Sequence, residues 1–176
     1  MKFLARLVFV PTMLWNILVA RWLGWCHWWD IIDEHVWLGA APFTRDVPRL
    51  REAGVRAVVN LCEECRGPVK AYDVAGIQQL RIPLVDYTSP SLPQVEECVA
   101  FIDRYVSQGD VVYVHCKAGR GRSATVVLCW LMASRGLSPE DAQAFLLSKR
   151  PQILRHLSRR RVVQEYWQKD SKAQDS

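Results

Sequence analysis

The chain has 176 residues, enough for one domain with a full hydrophobic core and too few for two. Half of the residues are hydrophobic and 23% are charged, which excludes an intrinsically disordered chain. A net charge of +5 favours anionic partners, whether nucleic acid, anionic lipid or phosphorylated substrate, without choosing between them.

Met1 to Trp29 contains no Asp or Glu, while Lys2, Arg6 and Arg21 are basic. Leu7 to Ala20 is an apolar stretch interrupted only by Pro11, Thr12 and Asn16, shorter than the ~20 residues a membrane-spanning helix needs. Trp15, Trp22, Trp25, Trp28 and Trp29 follow closely, five of the eight tryptophans, and indole rings concentrate at lipid headgroup level. Three readings stay open: a membrane-contacting hydrophobic helix over residues 1–29, a helix packed on the domain, or a cleaved secretory signal. The basic and aromatic residues favour the first; Leu18-Val19-Ala20 is a poor cleavage site.

From Asp30 to Gln168 strand-like and helix-like segments alternate, which predicts an α/β domain. His35 to Gly39 predicts a short strand, and Asp46 to Ala53 a helix closed by Gly54. Val55 to Leu61 is β-branched and predicts a buried central strand; Gly76 to Val85 predicts another. Val95, Val99, Ile102 and Val106 recur on one helix face, which predicts a helix over Pro93 to Val106 closed by Gly109. Val111 to Val114 is the clearest strand. A helix is predicted from Arg122 to Arg135 with Gly136 past its end. Another opens at Ser138, with Pro139 at its first position and Asp141 completing a capping box. A last helix is predicted over Leu154 to Trp167, then a polar tail, Lys169 to Ser176.

Between the strand Val111–Val114 and the helix at Arg122 stands His115-Cys116-Lys117-Ala118-Gly119-Arg120-Gly121-Arg122-Ser123. A strand, a tight loop and a helix N-terminus together make an anion site, because loop N–H groups and the positive end of the helix dipole converge there. Gly119 and Gly121 let the backbone bend around a phosphate, and Arg122 offers a planar fork for two phosphate oxygens. The same field lowers the pKa of Cys116 and makes a thiolate nucleophile at neutral pH. The plainer alternative is a buried cysteine in a basic turn.

This stretch resembles the H-C-x5-R-S signature of the protein tyrosine phosphatase superfamily, and the element order from Asp30 to Arg150 resembles its compact dual-specificity type. The resemblance implies a central, mainly parallel sheet flanked by helices and a phosphocysteine intermediate. It implies Cys116 as nucleophile, Arg122 as phosphate clamp, Ser123 as an aid to thiolate departure and His115 as a holder of the loop. Lys117, Ala118, Gly119, Arg120 and Gly121 would line the substrate. It also implies a general acid about thirty residues upstream. Asp86 fits better than Asp73, Asp103 or Asp110, because it follows a strand and precedes the turn-rich Tyr87 to Pro93.

Lys117 and Arg120 exceed what one phosphate needs, so a substrate with a second anionic group is expected. A similar loop, C-K-A-G-K-G-R, occurs in the tumour-suppressor phosphoinositide phosphatase. Val8 to Leu14, Trp29 to Gly39, Asn60 to Glu64 and His115 to Thr125 resemble the mitochondrial phosphatidylglycerophosphate phosphatase family and its bacterial and plant relatives. That family carries Glu-Glu-Tyr-Glu where this chain has Glu63-Glu64-Cys65-Arg66. The expected partner is a phosphorylated substrate, an anionic phospholipid, reached by a monomer at a membrane surface. The expected location is the cytoplasmic face in a bacterium or the inner mitochondrial membrane in a eukaryote. A phosphotyrosine or dual-specificity protein phosphatase is the alternative; a non-catalytic phosphate binder or a rhodanese-type sulfurtransferase fits the loop less well.

Cys26, Cys98 and Cys129 stand among apolar neighbours and read as buried hydrophobes, which suits a reducing compartment. Cys62 and Cys65 are spaced as half a zinc site or a redox pair, but no second pair exists, so accidental spacing leads. No metal and no cofactor is expected. The run Arg155 to Arg161 reads as a solvated helix face or a lipid headgroup contact, and nothing supports a nucleic-acid partner beyond charge.

Overall fold

Alternation along two strands sets the layers. In β3 (Val55–Cys62) Val55 and Val58 face one side while Ala57, Val59 and Leu61 face the other; in β5 (Val111–His115) Tyr113 opposes Val112 and Val114. Both strands are buried on both faces, as central parallel strands must be. The computed structural model describes residues 27–174. Its sheet runs β1 (Trp29–Ile31), β2 (Val36–Gly39), β5, β3, β4 (Gln78–Leu84) in spatial order. Only β1 against β2 is antiparallel.

Two short helices, α1 (Val47–Glu52) and α2 (Val69–Ala75), cover one face through Val47, Leu50 and Tyr72. The other face carries α3 (Leu92–Val106), α4 (Arg122–Arg135), α5 (Pro139–Lys149) and α6 (Arg161–Gln174). Every residue of α4 from Arg122 to Met132 is buried. This helix is the axle of the domain, and its first turn carries the site. Cys98 and Cys129 are fully buried among apolar neighbours, as their sequence context predicts.

Several elements differ from the sequence-based expectation, each for a local reason. Gly76 does not open β4. It takes φ +64 as the left-handed cap of α2, a helix too short, with Tyr72 alone buried, to leave a periodic signal. Strand β1 pairs the end of the tryptophan-rich segment with β2, so Trp29 packs edge-on against Tyr113 and beneath Arg49, while Trp28 is buried on Phe43. These two indoles serve the domain; the proposed hydrophobic helix before them, with Trp15, Trp22 and Trp25, lies outside the described residues. At Ser138 the hydroxyl accepts the Asp141 N–H and donates to the Asp141 carboxylate, so the expected reciprocal box becomes a hydroxyl–carboxylate pair.

The last helix starts at Arg161, not Leu154, and continues to Gln174, past the expected start of the tail at Lys169. Pro151 disfavours helix at Arg150, which sits at φ −137 and ψ 85. The following turns are held from inside: Gln143 accepts the N–H groups of Leu157 and Ser158 at 2.9 and 3.1 Å and donates to Leu154 O at 3.2 Å. Ile153 and Leu157 are buried. The basic run is therefore turn from Arg155 to Arg160, with only Arg161 on the helix, and that change brings Leu154 and Arg160 to the site.

Candidate active site

β5 ends at His115 and α4 begins at Arg122, so Cys116 to Gly121 form a loop at the carboxyl edge of the sheet. Gly119 has φ +67, and a Cβ there would lie 2.4 Å from Gly39 O. Its glycine is thus required twice, by conformation and by the approach of β2. Gly121 lies at φ −123, where a side chain is tolerated; a Cβ would meet Leu154 at 3.3 Å. Gly119→Ala should lower Tm by at least about 2 °C, since a left-handed alanine alone costs about 1–2 kcal/mol. An unchanged melting curve would mean the loop and Gly39 can separate freely.

The loop carbonyls are held outward by a residue that sequence reasoning missed. Arg150, 1% exposed, donates through Nε to Gly119 O at 2.9 Å and through Nη2 to Ala118 O at 3.0 Å. Its Nη1 is paired with Asp30. The N–H groups of Ala118 and Ser123 face the Cys116 sulfur; the Ala118 peptide is tied at its other end, where Lys117 O accepts Ala41 N–H at 3.3 Å. No local pattern announces Arg150, because its partners are thirty and more residues away.

Cys116 is 3% exposed. Burial pushes its thiol up, but the charge of Arg122, the Ser123 hydroxyl at 3.2 Å and the N–H groups of Ser123 and Ala118 outweigh it. The thiol ends below its ordinary value. His115 is fully buried and stacks on Tyr113 at 5.6 Å. Burial, against a bond to Cys116 O and with Arg122 nearby, lowers its pKa to about 4, so the imidazole is neutral at physiological pH.

Arg122 lies at the floor, 2% exposed. Its Nη1 donates to Leu84 O at 2.6 Å and to Glu64 Oε2 at 3.0 Å, and its Nη2 to Asp86 Oδ1 at 2.9 Å. Burial works against its charge, and Cys116, Asp86 and Glu64 outweigh that penalty. Glu64 is a second residue given no role in the sequence reading. Asn60 builds the turn that delivers it, accepting Cys62 N–H at 2.9 Å and donating to Cys65 O at 3.0 Å. Arg81 fastens the same turn through the carbonyls of Cys62 and Glu63. Cys62 is buried, its thiol pushed up chiefly by burial; Cys65 accepts Gly67 N–H, and the two are not bonded.

A cavity of ≈ 290 Å³ opens over the loop, lined among others by Asp86, Tyr87, Cys116, Arg120, Arg122 and Arg160. Lys117 also reaches it, but its side chain is 5% exposed and its Nζ lies 3.0 Å from Asp86 Oδ2. Asp86 therefore bridges Lys117 and Arg122 above the thiol. Of the other upstream aspartates, Asp103 accepts Trp130 Nε1 at 2.8 Å on α3, and neither it nor Asp73 or Asp110 lines the cavity. Among the described residues no cluster could hold a metal ion. The arrangement offers an activated thiolate, inward N–H donors and a guanidinium fork, which together can seat a phosphate and attack its phosphorus.

Comparison with known proteins agrees with this geometry. The profile of the family "Dual specificity phosphatase, catalytic domain" matches residues 36–169. Phosphatidylglycerophosphate phosphatase PTPMT2 of Arabidopsis thaliana is 42% identical over 164 residues, 92% of this chain and 72% of the relative. Phosphatidylglycerophosphatase and protein-tyrosine phosphatase 1 of Mus musculus is 37% identical over 172 residues, 93% of this chain and 89% of that protein. The crystal structure of PTPMT1 in complex with PI(5)P matches with a TM-score of 0.77 at 33% identity, covering 84% of this chain and 99% of that one. With a basic cysteine loop between β5 and α4 and a family match over most of its length, the chain belongs to the dual-specificity phosphatases and is a phosphoric monoester hydrolase.

Proposed function

We propose that this phosphatase acts on a membrane phospholipid monoester of the phosphatidylglycerophosphate kind. The observation that carries the reading is the surplus of cations at one cavity: Lys117, Arg120, Arg122 and Arg160 gather where a single phosphate needs one arginine and the loop N–H groups. Relatives whose names carry that activity, similar over more than nine-tenths of this chain, support it.

In the proposed chemistry Cys116 Sγ attacks phosphorus, the bond to the leaving alkoxide breaks, and Asp86 supplies that oxygen with a proton. Water then attacks the phosphocysteine, gives its proton back to Asp86, and releases inorganic phosphate and the thiolate. Arg122 clamps the equatorial oxygens, with the backbone of Lys117, Ala118, Gly119, Arg120 and Gly121 around them. The Ser123 hydroxyl, 3.2 Å from Sγ, eases departure of the thiolate. Neutral His115 holds the end of β5. A phosphate seated on Arg122 takes the place of Asp86 at Nη2 and frees that carboxyl for the leaving oxygen.

The enzyme would meet its substrate at a membrane surface facing a reducing compartment; among the described residues no helix is long and apolar enough to cross a bilayer. The test compares kcat/KM for phosphatidylglycerophosphate in vesicles, a phosphoinositide in the same vesicles and a phosphotyrosine peptide, with vesicle cosedimentation alongside. We expect phosphatidylglycerophosphate to lead and the chain to sediment with anionic vesicles. A peptide that outruns both lipids would make this a protein phosphatase.

A further inference from the structure

The cations of the cavity are not equivalent. Arg122 is paired with Glu64 and Asp86, and Lys117 with Asp86; behind the loop, Arg150 is paired with Asp30. Arg160, half-buried, has no carboxylate partner among the described residues. One of its five N–H donors, on Nη1, goes to Thr125 Oγ1 at 2.8 Å, and that hydroxyl donates to Gly121 O at 2.8 Å. A neutral hydroxyl thus fixes the guanidinium at the first turn of α4, with its remaining donors beside the cavity. Burial pulls its pKa down while the charge of Cys116 pulls it up, so it lies within the electrostatic reach of the thiolate. Arg120 lines the same cavity, half-buried, and its side chain too has no carboxylate partner among the described residues.

A partly desolvated guanidinium held without a counter-charge is costly until an anion reaches it. The reactive phosphate does not need this one, because Arg122 and the N–H groups of Ala118 and Ser123 already converge on the thiol. Lys117, which the loop sequence offers as a second reader, is committed to Asp86. Tyr87 and Leu154, 79% and 49% exposed, border the same mouth and suit the apolar part of a lipid.

We propose that Arg160, with Arg120, forms a second anion site that takes a phosphodiester of the substrate beside the monoester held by Arg122. This rests on the lipid reading above and names how that lipid is told from other monoesters. It makes Arg160 a specificity residue, absent from any expectation built on the H-C-x5-R-S motif.

The test is Arg160→Gln in the full chain, read as a ratio of kcat/KM values. Phosphatidylglycerophosphate carries a monoester and a phosphodiester; phosphatidic acid in the same vesicles carries the monoester alone. A soluble aryl phosphate reports whether the variant is folded, and Arg120→Gln is the second variant should it not be. Losing one charge-assisted contact should lower the ratio about tenfold to a hundredfold, mostly through KM for phosphatidylglycerophosphate, and Arg160→Lys should recover part of it. An equal fall on both lipids would make Arg160 a support of the loop through Thr125. An unchanged ratio in both variants, or a wild type indifferent between the two lipids, would also overturn the proposal. None of these outcomes touches the lipid reading, which fails only if the phosphotyrosine peptide outruns both lipids.

Discussion

Serine in place of Cys116 should abolish turnover on every substrate while leaving an anion site that still binds vanadate or tungstate weakly. The separation follows from the construction of the site. In the proposed chemistry the anion is held by Arg122 and the loop N–H groups, in a loop whose Ala118 and Gly119 carbonyls Arg150 ties down; only the covalent step needs sulfur. The loss should exceed the ~10²–10⁴-fold that a general acid contributes. A variant that kept more than about a hundredth of wild-type kcat would rule out the phosphocysteine route. The pH dependence carries the same signature. Because Arg122 and Ser123 hold the thiol below its ordinary value, the thiolate persists to lower pH than that of a free cysteine, and kcat/KM should fall only as pH drops through that lowered value. Ser123→Ala removes one of the forces that lower it, so the acid limb should move to higher pH.

The parts of this enzyme that sequence reveals are those built from neighbours in the chain. Val55 to Leu61 and Val111 to Val114 announce buried strands by β-branched runs, and Cys116 to Ser123 announces an anion loop because strand end, glycines and helix start are contiguous. Asp86 is legible from its place after β4. Arg150 and Glu64 are not, since each acts on the loop or on Arg122 from a distant segment, and a lone arginine before a proline looks like any surface charge. Arg160 is hidden for a different reason. A basic run with apolar residues at intervals mimics an amphipathic helix, and only the buried carboxamide of Gln143, on another helix, folds those residues into turns. Helix periodicity was a poor guide there because tertiary hydrogen bonds outweigh the local preference.

Asp86→Ala separates the proposed proton donor from the structural tie that the same carboxylate makes. Asp86 is the only carboxylate lining the cavity among the described residues, with Oδ1 at 2.9 Å from Arg122 Nη2 and Oδ2 at 3.0 Å from Lys117 Nζ. Tyr87, next in the chain, has φ 66, a left-handed conformation rare outside glycine, and its N–H donates to Asp86 Oδ1 at 3.1 Å, so the turn that presents the carboxyl is tightly specified. If Asp86 protonates the leaving oxygen, its loss should cut kcat on an alkyl phosphate such as a lipid monoester by ~10²–10⁴-fold. An aryl phosphate with a weakly basic leaving group needs no proton and should lose less than about tenfold in kcat. Removing it also leaves Arg122 and Lys117 without that counter-charge, so phosphate and vanadate should bind more tightly and KM should fall alongside kcat. Losses of equal size on both substrates, with no change in anion affinity, would move the acid elsewhere and leave Asp86 as a support of the Arg122 side chain.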